Sequence, residues 1–394
     1  MSANIVLGVT GGIAAYKSLQ LASSLTKLNH NVYTIMTESA AEFINPITFH
    51  SLTHLPVESK LFSTTTSEVK HIGLADKADL FLIAPATANF IAKAAAGIAD
   101  DLLTTVILAA QAPIMIAPSM NVHMFENPVV QRNLQTLEEL GYKIITPDSG
   151  YLACGYTGKG RLPEPERLVE EIIRELSKKD LKNKKILVTA GPTREALDPV
   201  RFLTNHSSGK MGYALARAAS YRGAEVKLIS GPTKLEPPLG VELIKVETAA
   251  EMKAEVFRHS DSAEIIIMAA AVADYRPKKY SQEKIKKSEA DFELKLGKTT
   301  DILFELGKKK KEGQLLIGFA AESENLLENA QQKLNKKQAD YIIANDISNK
   351  NIAFGSDKNK VSILSEKGST KLPLLKKEKL AHKIFDYITD AEIK

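Results

Sequence analysis

A single cysteine, Cys154, stands in the 394 residues, so no disulfide can form within the chain and a reducing setting is expected. The opening residues "MSANIVLGVTGGIAAYK" show neither a charged n-region nor a cleavage site, and no apolar run reaches the roughly 18 residues of a membrane span. A soluble, cytoplasmic protein is the expectation. The lysine run at 308–311, "GKKKKEG", has no aromatics interleaved and no nucleic-acid module beside it, so it reads as a solvated turn. The first glycine turn, "VTGGIAAYK", lacks the G-x-G-x-x-G spacing, which weakens a dinucleotide reading.

What is there suffices for two domains. At 44% apolar content, the length allows two cores in domains of about 150–200 residues. Residues 1–180 carry 14 Lys and Arg against 18 Asp and Glu, whereas residues 181–394 carry 38 against 29. The second half therefore favours small anionic partners.

Buried-looking runs alternate with amphipathic stretches: "NIVLGV", "VYTIM", "LFLIAPA", "APIMIAPSM" and "YKIITPD" are each separated by a helical pattern. After the helix "EPERLVEEIIRELS", residues 179–184 read as a linker. The series restarts at "KILVTAGPTRE" and runs through "AEVKLIS", "VELIKV", "AEIIIMAAAV", "QLLIGFAAE" and "DYIIAND". This implies two α/β domains, 1–178 and 185–394, each a doubly wound parallel sheet, with ligands outside the carboxyl ends of the strands.

Several residues at those ends have two readings. Gly11 and Gly12, before a helix N-terminus, make either an anion site or a tight turn. Thr87 and Asn89 either meet a ligand or cap a helix, and Asn121, in "APSMNVHMFENP" between Met120 and Met124, either holds a carboxylate or amide or makes an Asx turn. His71 begins a helix as a surface, capping or catalytic residue. Cys154 stands among Gly155, Gly158 and Gly160, which suggest a mobile cover rather than a core position.

Taken together, "KHIGLADKADL", "APATAN", "PSMNVHM" and "ACGYTGKGR" resemble the flavin-containing cysteine decarboxylases. "TAGPTREALDPVRFLTNHSSGKMG", "AAAVADYRP", "EKIKK" and "GFAAES" resemble phosphopantothenate-cysteine ligase. In this order, over nearly the whole chain, they resemble the bifunctional enzymes of coenzyme A biosynthesis that join the two activities.

For the first domain the resemblance implies a flavodoxin-like, FMN-binding decarboxylase of 4′-phosphopantothenoylcysteine. Its carboxylate has no neighbouring ketone or imine, so carbon dioxide would leave an unstabilised carbanion without a cofactor. In the family, flavin oxidises the thiol-bearing carbon, the thioaldehyde decarboxylates to an enethiolate, and the electrons return. Cys154 is implied as the acid, mostly protonated at an ordinary pKa of about 8.5. His71 is implied beside flavin and substrate, Asn121 at the substrate carboxylate, and Gly12, Thr37, Thr87 and Asn89 as flavin contacts. A trimeric decarboxylase and a dimeric ligase are implied as well.

For the second domain the resemblance implies a CTP-dependent ligase with Mg2+ on the triphosphate. The carboxylate of 4′-phosphopantothenate attacks the α-phosphate, and the amine of L-cysteine then displaces cytidine monophosphate. Asn205 matches the residue contacting the acyl-cytidylate, and Lys284 the lysine stabilising charge on the transferring phosphoryl group. Asp274, Phe319, Lys333 and Lys337 match nucleotide-binding positions, as does the segment Thr300, Asp301, Ile302 and Leu303. There the family commonly has proline where this chain has Thr300, which leaves nucleotide affinity open. The rival readings are another flavin-dependent cysteine decarboxylase with a degenerate second domain, and a non-catalytic binding subunit.

Overall fold

The computed structural model describes residues 2–62, 70–151, 155–286, 292–322, 325–346 and 355–392. It divides into two compact units, Met1–Leu176 and Ser177–Lys394.

In the first unit, strands β1 (Asn4–Val9), β2 (Asn31–Met36), β3 (Val57–Glu58), β4 (Leu80–Ala86), β5 (Ile114–Pro118) and β6 (Lys143–Ile144) form one parallel sheet in the order β3-β2-β1-β4-β5-β6. Helices cover both faces, which is why the inner strands read as continuous apolar runs. Successive side chains divide between two cores. Ile5, Leu7 and Val9 pack with Leu21, Leu25, Leu168 and Ile172; Val6, Phe81 and Ile83 pack with Ile91, Val106 and Leu137. Each such side chain contributes roughly 1.5–3 kcal/mol when fully buried. Local signals set the helix ends: Asp101 and Thr104 make a reciprocal capping box before Leu102–Ala109, and Asn127 with Pro128 opens Pro128–Glu139. A separate antiparallel hairpin, β7 (Asp148–Tyr151) and β8 (Thr157–Arg161), follows the sheet.

The second unit repeats the strand order. From one edge its sheet runs Val241–Lys245, Glu225–Ser230, Lys185–Ala190, Ile265–Met268, Leu315–Glu322 and Tyr341–Asp346, all parallel. The expected parallel sheet is present and is extended at its far edge. There Val361–Ser365 and Gly368–Lys371 add two antiparallel strands. Two residues separate them, too few for a crossover, and Gly368 supplies a φ of +128° at the turn. Ile186, Val188, Leu215 and Ile384 fill one core of this unit, and Leu187, Val256, Leu306 and Leu334 fill the other.

The stretch 179–184, expected as a linker, is packed into this unit. Leu181 joins its core, and Asp180 pairs with Arg222, a fully buried guanidinium that also reaches Asp386 at 2.9 Å and the His382 carbonyl at 3.1 Å. The Arg222 group lies 5.6 Å from the Phe385 ring centre, so one side chain holds the helix Lys377–Glu392 against the unit's first segment. The lysine run is not simply solvated either. Lys308 and Lys309 end the helix Ile302–Lys309 over the rings of Phe304 and Phe257, Lys310 pairs with Asp340 and Lys311 with Asp261.

Candidate functional site

In the first unit the strand order reverses between β1 and β4, and the loops leaving their carboxyl ends part there. Two threonines join these loops. The Thr10 hydroxyl donates to the Pro85 carbonyl at 2.8 Å and accepts the Thr87 N–H at 3.0 Å. Thr87 in turn caps Ala88–Ala96 by accepting the Phe90 N–H, so the cap is Thr87, while Asn89 is exposed on the first turn.

A cleft of about 710 Å³ opens beside these loops, and Gly12, Thr87 and Asn121 line it with Lys17, Ser119 and Arg161. A Cβ at Gly11 would stand 2.4 Å from that of Ser39, so this position admits no side chain; one at Gly12 would meet nothing closer than Thr87 at 3.8 Å. Helix Ala15–Lys27 starts at the cleft with no side-chain cap, and the positive end of its dipole faces the opening without a competitor. Lys17, only 5% exposed, donates to the Leu162 carbonyl at 2.9 Å and pairs with Glu164 at 3.0 Å. Those contacts fix the wall that follows β8.

The Asx turn at Asn121 is present. Its Oδ1 accepts the His123 N–H at 2.8 Å and opens the short helix Val122–Phe125, while the residue also lines the cleft. The hairpin β7–β8 is seated on this loop by its glycines. A Cβ at Gly160, where φ is +139°, would lie 2.3 Å from the Met120 carbonyl oxygen, and one at Gly158 would lie 2.5 Å from Val122. Close approach accounts for both glycines, where the sequence suggested mobility. Gly155, at φ +87°, needs the left-handed conformation. Cys154 itself lies outside the described residues. The arms that bracket it end at Tyr151 and resume at Gly155, and Tyr156 meets the His123 ring edge-on at 4.9 Å.

Three nominated residues, Asn89, Thr37 and His71, stand apart from the cleft lining. Thr37 caps Glu38–Ala41 at the end of β2, and His71 is a half-buried residue in the helix Lys70–Lys77.

In the second unit the reversal lies between Lys185–Ala190 and Ile265–Met268. Asn205 sits over it: its amide donates to the Ala271 carbonyl at 2.9 Å, and Thr204 beside it donates to the Thr193 carbonyl at 2.8 Å. The helix that follows begins at Lys210, after Gly209 at φ +76°. Gly212 is a packing residue whose Cβ would lie 2.5 Å from that of Ala190.

Asp274, Asp301 and Lys337 come together. Asp301 caps Ile302–Lys309 through the Phe304 N–H at 3.0 Å and pairs with Lys337. Burial holds the Lys337 ammonium below the usual lysine range, and the Asp274 charge opposes that shift. Thr300 accepts from Lys253 at 3.3 Å, Ile302 is buried, and Leu303 and Phe319 are partly buried against the cores. Lys333 lies one turn before Lys337 on Leu326–Lys337. Lys284 is exposed in an irregular segment and is held through its neighbour Ile285, whose N–H donates to Asp198 at 3.1 Å. Lys17 and Asp198 are the residues that sequence reasoning passed over, and neither carried a signal; of the glycine pair it named, Gly11 is the position with no room for a side chain.

The flavoprotein family model matches residues 1–177, and the model of the DNA/pantothenate metabolism flavoprotein C-terminal domain matches residues 181–391. The chain is 49% identical over 391 residues to the coenzyme A biosynthesis bifunctional protein CoaBC of Bacillus subtilis, covering 98% of this chain and 96% of that one. It is 44% identical over 384 residues to the protein of the same name from Borreliella burgdorferi, covering 97% of each. A crystal structure of the C-terminal domain of such a protein, 45% identical, covers 55% of this chain and 100% of its own with a TM-score of 0.47. Two consecutive units, each matched by its own family model, and relatives aligned end to end place this chain in the family of bifunctional coenzyme A biosynthesis proteins.

Proposed function

We propose that the second unit joins 4′-phosphopantothenate to L-cysteine at the expense of CTP, and that the first decarboxylates the resulting 4′-phosphopantothenoylcysteine to 4′-phosphopantetheine. The observation carrying this reading is that a flavoprotein unit is followed by a pantothenate-metabolism unit in one bifunctional family.

The first unit's cleft fits FMN. Gly11 leaves no room for a side chain where the chain turns, the uncapped helix Ala15–Lys27 suits a phosphate, and the volume lies in the range of cofactor sites. Bound there, flavin would supply the two-electron chemistry at the thiol-bearing carbon that makes an unactivated carboxylate labile. Gly12 and Thr87 would border it, with Thr37 and Asn89 as outlying contacts. Asn121 would hold the substrate carboxylate, and Cys154, which follows Tyr151 by three residues in the sequence, would return the proton. His71 does not line the cleft of one subunit, which suits a role across an oligomer interface. Exposed Ile13, Tyr16, Met124 and Tyr151 around the cleft support an assembly of the first unit; a trimer of this unit and a dimer of the ligase unit belong to the same reading.

In the second unit the 4′-phosphopantothenate carboxylate would attack the α-phosphate of CTP and release pyrophosphate. The cysteine amine would then attack the acyl carbon and release cytidine monophosphate. Asn205 would contact the acyl-cytidylate, Lys284 the transferring phosphoryl group, and Asp274, Lys333, Lys337, Phe319 and the 300–303 segment the nucleotide. Among the described residues no three His, Cys, Asp or Glu side chains converge as a metal site. Mg2+ would enter on the triphosphate. Likewise, no helix among them is long and apolar enough to cross a membrane.

The test is mass spectrometry of purified protein with 4′-phosphopantothenate, L-cysteine, CTP and Mg2+. Phosphopantothenoylcysteine should form and then lose the mass of carbon dioxide. A first product that never loses that mass would sink the decarboxylase reading; no first product would sink the ligase reading.

A further inference from the structure

Asp198 is a buried charge for which the reaction above has no direct use. It is 2% exposed, yet its carboxylate is fully engaged by backbone. Oδ1 accepts the N–H groups of Val200 and Arg201, both at 2.8 Å, and so closes the turn at 198–201. Oδ2 accepts the Ile285 N–H at 3.1 Å, from a segment 87 residues further along the chain. The Arg201 guanidinium, 3.5 Å from Oδ2, donates to the Ile285 carbonyl, so both polar groups of one peptide residue are taken by this pair. Leu197 accepts the Ser281 N–H at 2.9 Å. The segment that bears Lys284 is thereby pinned on both sides of it. Burial alone would raise the Asp198 carboxyl, but the three backbone donors outweigh it and keep the group ionised, below the usual carboxylate range.

We propose that Asp198 is a positioning residue of the ligase, clamping the backbone beside Lys284 and so fixing where that ammonium group stands. The inference rests on the role given to Lys284 above. A carboxylate is required because each oxygen has its own work: one closes the local turn while the other reaches Ile285. An asparagine has a single acceptor, and its amide nitrogen would face an N–H. A serine can close the turn but is too short to reach Ile285. Neither change touches a group that meets substrate. Charge stabilisation of a transition state depends on placement, and a displacement of about 1 Å can lower a rate about 100-fold.

The experiment uses the full chain with CTP, 4′-phosphopantothenate, L-cysteine and Mg2+, reading pyrophosphate release at steady state. Asp198→Asn and Asp198→Ser should each lower kcat about 10- to 100-fold with the KM for CTP within about twofold, because an interaction made only in the transition state is lost. Decarboxylation of supplied 4′-phosphopantothenoylcysteine by the same preparations should be unchanged, and cooperative melting of the second unit should persist. Combined with Lys284→Ala, Asp198→Asn should add no further loss. Full ligase turnover in folded Asp198→Asn and Asp198→Ser, a rise in KM alone, or losses that multiply in the double variant would overturn the proposal. Full turnover in Lys284→Ala alone would instead remove the role of Lys284 on which it stands.

Discussion

Lys17 reaches across the first unit to Leu162, donating to its carbonyl at 2.9 Å over a sequence separation of 145 residues. The helix that borders the cleft and the segment leaving β8 are thus one construction. Replacing Lys17 by methionine keeps the aliphatic stem but leaves a buried carbonyl without a donor, at about 1–3 kcal/mol. Lys17→Met should lower the first unit's melting midpoint and weaken flavin retention. Calorimetry and visible absorbance after gel filtration check it; an unmoved midpoint with full flavin would refute the link.

Gly160→Ala should be more selective. The added methyl meets the Met120 carbonyl, in a backbone conformation that disfavours side chains, with strain on the order of 1–3 kcal/mol. The hairpin β7–β8 should shift from its seat on the 119–122 loop. Decarboxylation is expected to fall at least tenfold, on the same positional sensitivity of catalysis, while ligation is retained. Separate assays of the two half-reactions decide this.

Arg222 sets the acid stability of the second unit. Burial alone would raise Asp180 and Asp386, but hydrogen bonds from Arg222 and Lys178 to both outweigh it, so each carboxyl lies below the usual range. Their contribution is present above the ordinary aspartate value and is lost as pH falls through the lowered ones. His382 is held low by burial and by the Arg222 charge. Because the unfolded chain takes up that proton first, its contribution fades as pH drops below about 6.5. Urea unfolding should show stability declining first in that range and again below about pH 4. Arg222→Met should destabilise the unit by about 3 kcal/mol at neutral pH and flatten the lower step.

Lys337 offers a test at alkaline pH. Its ammonium is depressed by burial, so it should lose its proton earlier than an exposed lysine as pH rises. If it binds the triphosphate, the KM for CTP should climb with that deprotonation. Lys337→Arg, which stays charged, should keep KM flat over the same range. An identical climb in both proteins would assign the effect elsewhere.

The strands were readable because burial on both faces leaves little but Val, Ile, Leu and Ala in them, as "LFLIAPA" and "EIIIM" show. The edge hairpin "VSILSEKGSTK" was not, since its outer strand is polar and short. Glycine was the most ambiguous letter. Gly158, Gly160 and Gly212 allow close approach, but the same letter also serves freedom of motion, and only neighbours such as Met120 and Ala190 distinguish the two. Lys17 and Asp198 were illegible because charge in a sequence reads as solvent exposure until the partner, 145 or 87 residues away, is known.

The polar outer hairpin of the second sheet has a consequence for solubility. Tyr341–Asp346, rich in isoleucine, would be the terminal ribbon without it, offering unpaired amides as a template for a neighbouring molecule. Gly368–Lys371, short and hydrophilic, stands at that rim instead, and in the other sheet both rims are strands of only two residues, Val57–Glu58 and Lys143–Ile144. Each half of the molecule is thereby blunted against fibrillar self-association.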